Sequence, residues 1–125
     1  MINFSEIKVF EQLEFDRIFL IFKLFDVQIG QISFRRSLQN FFYVEISDFE
    51  VKEDLRGRKI GSYILQTCID WLNKLELDLD YVAYVNVYSE NIFLRHGFKE
   101  TVNKYFKGSR IYKQVIYKNN QVENQ

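Results

Sequence analysis

Residues 51–64 read Val51-Lys52-Glu53-Asp54-Leu55-Arg56-Gly57-Arg58-Lys59-Ile60-Gly61-Ser62-Tyr63-Ile64. An apolar run, Phe41 to Val51, enters this stretch as a strand. A charged turn with Gly57 and Gly61 follows, and a helix starts directly behind it. The first N–H groups of a helix have no internal acceptor and point outward together with the positive end of the helix dipole. Arg56, Arg58 and Lys59 add formal charge to that anion site. Such a turn suits the diphosphate of a nucleotide-like cofactor. It suits equally a plain strand-turn-helix with solvated basic residues. Neither Gly-x-x-x-x-Gly-Lys-Ser/Thr nor Gly-x-Gly-x-x-Gly is present.

The helix behind the turn carries the clearest periodicity in the chain. Ile60, Tyr63, Ile64, Thr67, Cys68, Trp71, Leu72 and Leu75 alternate in steps of three and one, an unbroken amphipathic stripe. Upstream, residues 17–25 and 28–34 are rich in β-formers and flank a tight turn at Asp26-Val27. Residues 1–16 are ambiguous: Ile2, Phe4 and Ile7 to Leu13 are compatible with a strand and one turn of helix. Along the strand ending at Val51, strict alternation puts Glu45, Ser47, Phe49 and Val51 on one face. Val44, Ile46, Asp48 and Glu50 take the other.

Downstream, Tyr81–Val87 reads as a strand. Ser89 is placed to cap a short helix that Gly97 ends. Strands starting at Phe98 and over Ile111–Tyr117 close the chain around a turn at Lys107-Gly108-Ser109. The order β-β-β-α-β-α-β-β predicts an α/β fold, a mixed sheet with antiparallel hairpins around a central β-α-β crossover. Ligands of open α/β sheets bind at such strand ends.

At 125 residues the chain reads as one domain, 1–125, with 119–125 a frayed polar tail. Lys plus Arg and Asp plus Glu number 17 each, so no general attraction to nucleic acid or an anionic membrane is expected. Thirteen Phe and eight Tyr supply core bulk, and Ala83 is the only alanine. Cys68, the single cysteine, excludes an internal disulfide and a cysteine-based zinc site, and no metal is expected. It lies on the apolar helix face as a small core residue. With no signal-peptide pattern and no long apolar run, the expectation is a soluble cytoplasmic protein.

The order of elements and two motifs resemble the GNAT family of acyl-CoA-dependent N-acetyltransferases, over roughly residues 17–117. The family's cofactor loop, Gln/Arg-x-x-Gly-x-Gly/Ala, is matched by Arg56-Gly57-Arg58-Lys59-Ile60-Gly61, preceded by Phe49 and Val51 on the strand. A second element, an Asn ending a strand, then a small residue, an aromatic and Gly-Phe, is matched by Asn86, Ser89, Phe93 and Gly97-Phe98. The resemblance implies acetyl transfer from acetyl-CoA to a primary amine by direct attack on the thioester. The acceptor would be a small molecule or a protein amine. Backbone N–H groups from Gly57 to Ser62 would hold phosphate, with Ile60 and Gly61 in the loop. The pantetheine arm would enter a gap between the strand ending at Val51 and Tyr81–Val87. Asn86 would stand at the mouth of that gap; the bland alternative makes it a turn residue. Glu45 is where a general base would stand, directly or through water, and the N–H of Phe49 would face the developing oxyanion. As an alternative, Glu45 is an exposed strand carboxylate.

Three departures from the family pattern bear on this reading. Lys59 occupies the loop's first glycine, where it is strained if the position needs positive φ and adds only charge if it does not. Phe93 replaces the tyrosine that often protonates the thiolate; Tyr84, Tyr88, Ser89 or water are the possible substitutes. The helices that usually precede the second strand are reduced, so the acceptor side is open, shallow, or completed by a second subunit in a homodimer. The competing function is a catalytically weak or inactive acyl-CoA-binding or partner-binding module of the same fold. His96, the only histidine, reads as a helix-end cap. Tyr105, Tyr112 and Tyr117 read as packing of the last hairpin.

Overall fold

The computed structural model describes residues 2–38, 40, 42–57 and 59–119. After a 3-10 turn at Phe4–Glu6 come four strands, β1 (Ile7–Glu14), β2 (Arg17–Leu24), β3 (Val27–Arg36) and β4 (Tyr43–Val51). Helix α1 (Ile60–Asn73), strand β5 (Asp80–Val85), helix α2 (Glu90–Arg95) and strands β6 (Lys99–Lys107) and β7 (Arg110–Tyr117) complete the order. The sheet order is β1-β2-β3-β4-β5-β7-β6, with β4 and β5 parallel and every other neighbour pair antiparallel. The expected mixed sheet around one β-α-β crossover is therefore present, and residues 1–16 form both a helical turn, Phe4–Glu6, and an added antiparallel strand, β1.

The hairpins are short because their turns tolerate left-handed backbone. Phe25 and Asp26 have φ of 50° and 67°, the double positive φ that matches strand twist in a two-residue hairpin loop. The turn thus lies one residue earlier than Asp26-Val27, and Val27 already belongs to β3.

Both helices pack on one face of the sheet. From α1, Tyr63 meets Phe22 edge-on, Trp71 lies against Phe34, and Ile64 approaches Gly30, where a Cβ would collide with its Cδ1. Trp71 Nε1 also donates to Glu11 Oε2 at 3.2 Å, tying α1 to the edge strand β1. From α2, Phe93 is wedged edge-on between Phe49 and Phe98. The core between helices and sheet includes Leu20, Phe22, Ile32, Ile46, Ile64, Leu65, Cys68 and Leu72, all buried. Burial pushes the Cys68 thiol up, consistent with a core residue and not a nucleophile.

No described helix covers the other face of the sheet, and no described helix is long and apolar enough to cross a membrane. Asn119, placed in the frayed tail, is instead anchored: its N–H donates to Asp80 Oδ1 at 2.9 Å and its amide to the Tyr81 hydroxyl at 3.3 Å. Residues 120–125 lie outside the described residues.

Candidate active site

The site starts from a strand pair that separates. β4 and β5 pair from Tyr43–Asp80 to Ile46–Ala83 and no further. From Ser47 to Val51 the edge of β4 facing β5 has no strand partner, and the two chains diverge. One cavity of about 780 Å³ opens on the helix side of this gap, lined by Phe49, Val51, Arg56, Gly57, Lys59, Gly61, Ser62, Asn86 and Ser89. A smaller one of about 210 Å³ runs between the strands themselves, past Phe49, Ser89 and Phe93. Nine of the expected cofactor residues are thus brought to one cleft. Ile60 is buried beneath it, Phe93 lies in the gap behind it, and Arg58 lies outside the described residues.

Helix α1 begins at the floor of the larger cavity without a side-chain cap, so the first N–H groups of the helix are left to whatever enters. Lys59 takes φ +65°, ψ 12°. The position that carries glycine in the loop pattern does require left-handed backbone, and Lys occupies it at a cost of about 1 kcal/mol. Its side chain is exposed, so it leaves the loop open. Gly57 also has positive φ, 82°, and its missing Cβ faces open space. Gly61 serves contact instead: a Cβ there would stand 3.1 Å from Ile92 Cδ1 and 3.3 Å from Phe49 Cζ. A larger residue would make these side chains give way where α1 starts against β4 and α2. Arg56 Nε donates to the Val51 carbonyl at 3.3 Å, folding the turn back on the strand end.

Asn86 is both a turn residue and a cleft residue. Its Oδ1 accepts from the N–H of Tyr88 at 3.0 Å, the N–H of Ser89 at 3.1 Å and Ser89 Oγ at 3.2 Å. The amide nitrogen is left for the cleft. Ser89 occupies the N-cap position of α2, but its side chain makes no capping bond, because the hydroxyl goes to Asn86. Gly97 ends α2 with φ +95°, as expected.

The alternation assigned to β4 is broken by a bulge. Asp48 has φ +51°, and between Gln31–Glu50 and Ser33–Ser47 strand β4 holds one residue more than β3. An inserted residue turns the following side chains over. Val44, Ile46, Phe49 and Val51 therefore all face the helices, while Glu45, Ser47, Asp48 and Glu50 share the open face. Glu45 and Phe49 lie on opposite faces, not on the same one. Glu45 lines neither cavity. Its Oε1 accepts from Arg35 Nε at 3.4 Å, and Arg35 also donates to Asp16 Oδ2 at 2.7 Å.

His96 stands at the C-cap of α2, as expected. Its Nδ1 sits 2.9 Å from Gln66 Oε1, bridging α2 to α1. Burial first, and then the neighbouring Arg95, hold its pKa below the usual histidine value, which favours the neutral ring. Tyr117 stacks on Tyr81 and Tyr105 packs on Tyr112, but Tyr112 also lines the gap. Tyr88, a possible acid by sequence, lines the larger cavity, and so do Glu50, Ile92 and Arg95, which the sequence did not point to. A signal was available: Ser89, Ile92 and Arg95 recur every three residues, one face of α2.

Comparison with known proteins agrees with this geometry. The family model described as the acetyltransferase (GNAT) family matches residues 3–98. The Bacillus subtilis acetyltransferase solved in complex with CoA superposes with a TM-score of 0.73 at 12% identity, covering 90% of this chain and 98% of that one. A GNAT family acetyltransferase from Elizabethkingia anophelis, solved with acetyl-CoA bound, gives 0.71 at 12%, with coverage of 91% and 99%. An acyl-CoA N-acyltransferase from Pseudomonas aeruginosa gives 0.71 at 14%, with coverage of 84% and 70%. No curated protein matches the chain in sequence. A separated β4–β5 pair closed by an uncapped helix start, with the family match over most of the chain, makes this protein a member of the acetyltransferase (GNAT) family.

Proposed function

We propose that the protein moves an acetyl group from acetyl-CoA to a primary amine by direct attack within a ternary complex. The observation that carries this is the end of β4–β5 pairing at Ile46–Ala83, with the unpaired end of β4 and the uncapped start of α1 lining one cavity. A pantetheine arm is a chain of amides, and it can bond to the unpaired edge of β4 as a strand would. The diphosphate fits the helix N-terminus, with Arg56, Arg58 and Lys59 supplying charge. The family relatives solved with CoA and acetyl-CoA support this assignment.

In the reaction the neutral amine nitrogen attacks the thioester carbonyl. A C–N bond forms, the C–S bond breaks, the nitrogen gives up a proton and the sulfur leaves as thiolate. The N–H of Phe49, on the unpaired stretch of β4, is the donor to the oxygen that becomes negative. Glu45 stands outside both cavities, so its work as a base runs through water. Phe93 is 2% exposed and has no proton to give. A thiol pKa of about 8.5 makes thiolate a tolerable leaving group near neutral pH, and with the Ser89 hydroxyl donating to Asn86, water suffices.

Phe93 also motivates the second reading, an acyl-CoA-binding or partner-binding module without turnover. Titration calorimetry of acetyl-CoA, with desphospho-CoA as comparison and an amine panel for turnover, separates the readings. Micromolar binding with transfer to an amine is the expected result. Binding without transfer, with activity appearing in Phe93→Tyr, selects the module. Absence of binding at millimolar ligand removes both.

A further inference from the structure

We infer that the acceptor is a primary amine carrying a second cationic group, and that Asp48 holds that second group. The inference rests on the acetyltransferase reading and names its acceptor class.

Asp48 is the bulge residue of β4, next to Phe49, and it lines the gap from the open face of the sheet. Its carboxylate is fixed from two neighbouring strands. Oδ2 accepts from an Arg17 guanidinium nitrogen at 2.8 Å and from Ser33 Oγ at 2.7 Å. Among the described residues no donor bonds Oδ1. Arg17 and Ser33 thus hold the carboxylate through Oδ2 alone, in a residue that lines the gap. The wider network holds three carboxylates, Asp16, Glu45 and Asp48, against two guanidiniums, Arg17 and Arg35. Glu50 lines both cavities and adds a further negative charge.

The opposite wall of the gap points to the same ligand chemistry independently. Tyr84 of β5 and Tyr112 of β7 line the cavity that Asp48 lines. Tyr105 stands behind both, with ring centroids 6.1 Å from Tyr84 and 6.2 Å from Tyr112. A carboxylate and two tyrosines lining one cavity suit an ammonium group.

The reacting nitrogen is not the group that Asp48 serves. That nitrogen must be neutral to attack, and a carboxylate beside it would stabilise its ammonium form. The charge at Asp48 is useful to a second nitrogen of the same acceptor, which stays protonated throughout. Diamines have this form.

Three amines of one chain length test it: 1,4-diaminobutane, n-butylamine and 4-aminobutanoate, which carry a second ammonium, nothing or a carboxylate. The wild-type protein is expected to favour the diamine over 4-aminobutanoate by about tenfold or more in kcat/KM. Asp48→Asn keeps the shape and the bonds to Ser33. It is expected to raise KM for the diamine about tenfold while leaving kcat, n-butylamine and acetyl-CoA affinity within about twofold. Calorimetry of 1,4-diaminobutane into the CoA-loaded protein should show the same loss without turnover. Equal wild-type rates for the three amines, or an equal loss for all three in Asp48→Asn, overturns the inference and leaves the acetyltransferase reading intact. If the variant does not fold, the wild-type ranking decides. A wild-type protein that neither binds acetyl-CoA nor acetylates any of the three overturns both.

Discussion

The two sides of the β4–β5 gap are built differently. The helix side is made largely of backbone: a glycine turn, an uncapped helix start and an unpaired strand edge, all within residues 47–62, with Asn86, Tyr88, Ser89, Ile92 and Arg95 closing it. The open side is made of side chains: Arg17 from β2, Ser33 from β3, Asp48 from β4, Tyr84 from β5 and Tyr112 from β7. Backbone recognition is local in sequence and tolerates changes of side chain. Side-chain recognition gathers distant positions and changes with each of them. This division fits a protein whose donor is common to a family while its acceptor is its own.

The comparison breaks most visibly at Gly61. Gly61→Val pushes a branched side chain at Ile92 and Phe49, and an unfolding cost of about 2–3 kcal/mol is expected in denaturant titration. Acetyl-CoA binding should be lost with it; retained affinity would show that the donor side does not depend on this close approach. Next is Arg56→Ala, which should weaken acetyl-CoA binding about tenfold, with the difference shrinking as salt is raised. The KM of the amine should not move. If it does, the two sides are coupled and the division above is wrong.

Lys59→Gly sharpens the same point in the opposite direction. Relief of the left-handed backbone should stabilise the fold by about 0.5–1 kcal/mol, read as a higher Tm. Phosphate affinity should fall only slightly if the loop works through its N–H groups. The smallest effect is expected at His96. Its pKa is depressed in the folded state, so the unfolded chain takes up protons first as pH falls. The stability His96 contributes is therefore present above the unfolded value of about 6.5 and lost as pH falls through the lower folded value. His96→Gln should flatten the decline in Tm between pH 7 and 5 while leaving acetyl transfer unchanged. An unchanged slope would remove His96 from the acid sensitivity.

The sequence by itself determined the helix side of the site. The stripe from Ile60 to Leu72, the turn at Arg56–Gly61 and the Asn86-to-Phe98 spacing are local patterns, and backbone geometry follows local pattern. They were enough to place the crossover, the cleft and nearly all of its cofactor residues. Tertiary structure alone decided the open side. One residue of bulge at Asp48 reversed the faces beyond it, because side chains alternate with period two and a single insertion inverts every later one. Asp amid strand formers at Ser47-Asp48-Phe49 was the trace of it, but register belongs to a pair of strands and is written in neither alone. Tyr112 and Asp48 stand 64 positions apart in the sequence and line one cavity only because the sheet order brings β7 beside β5.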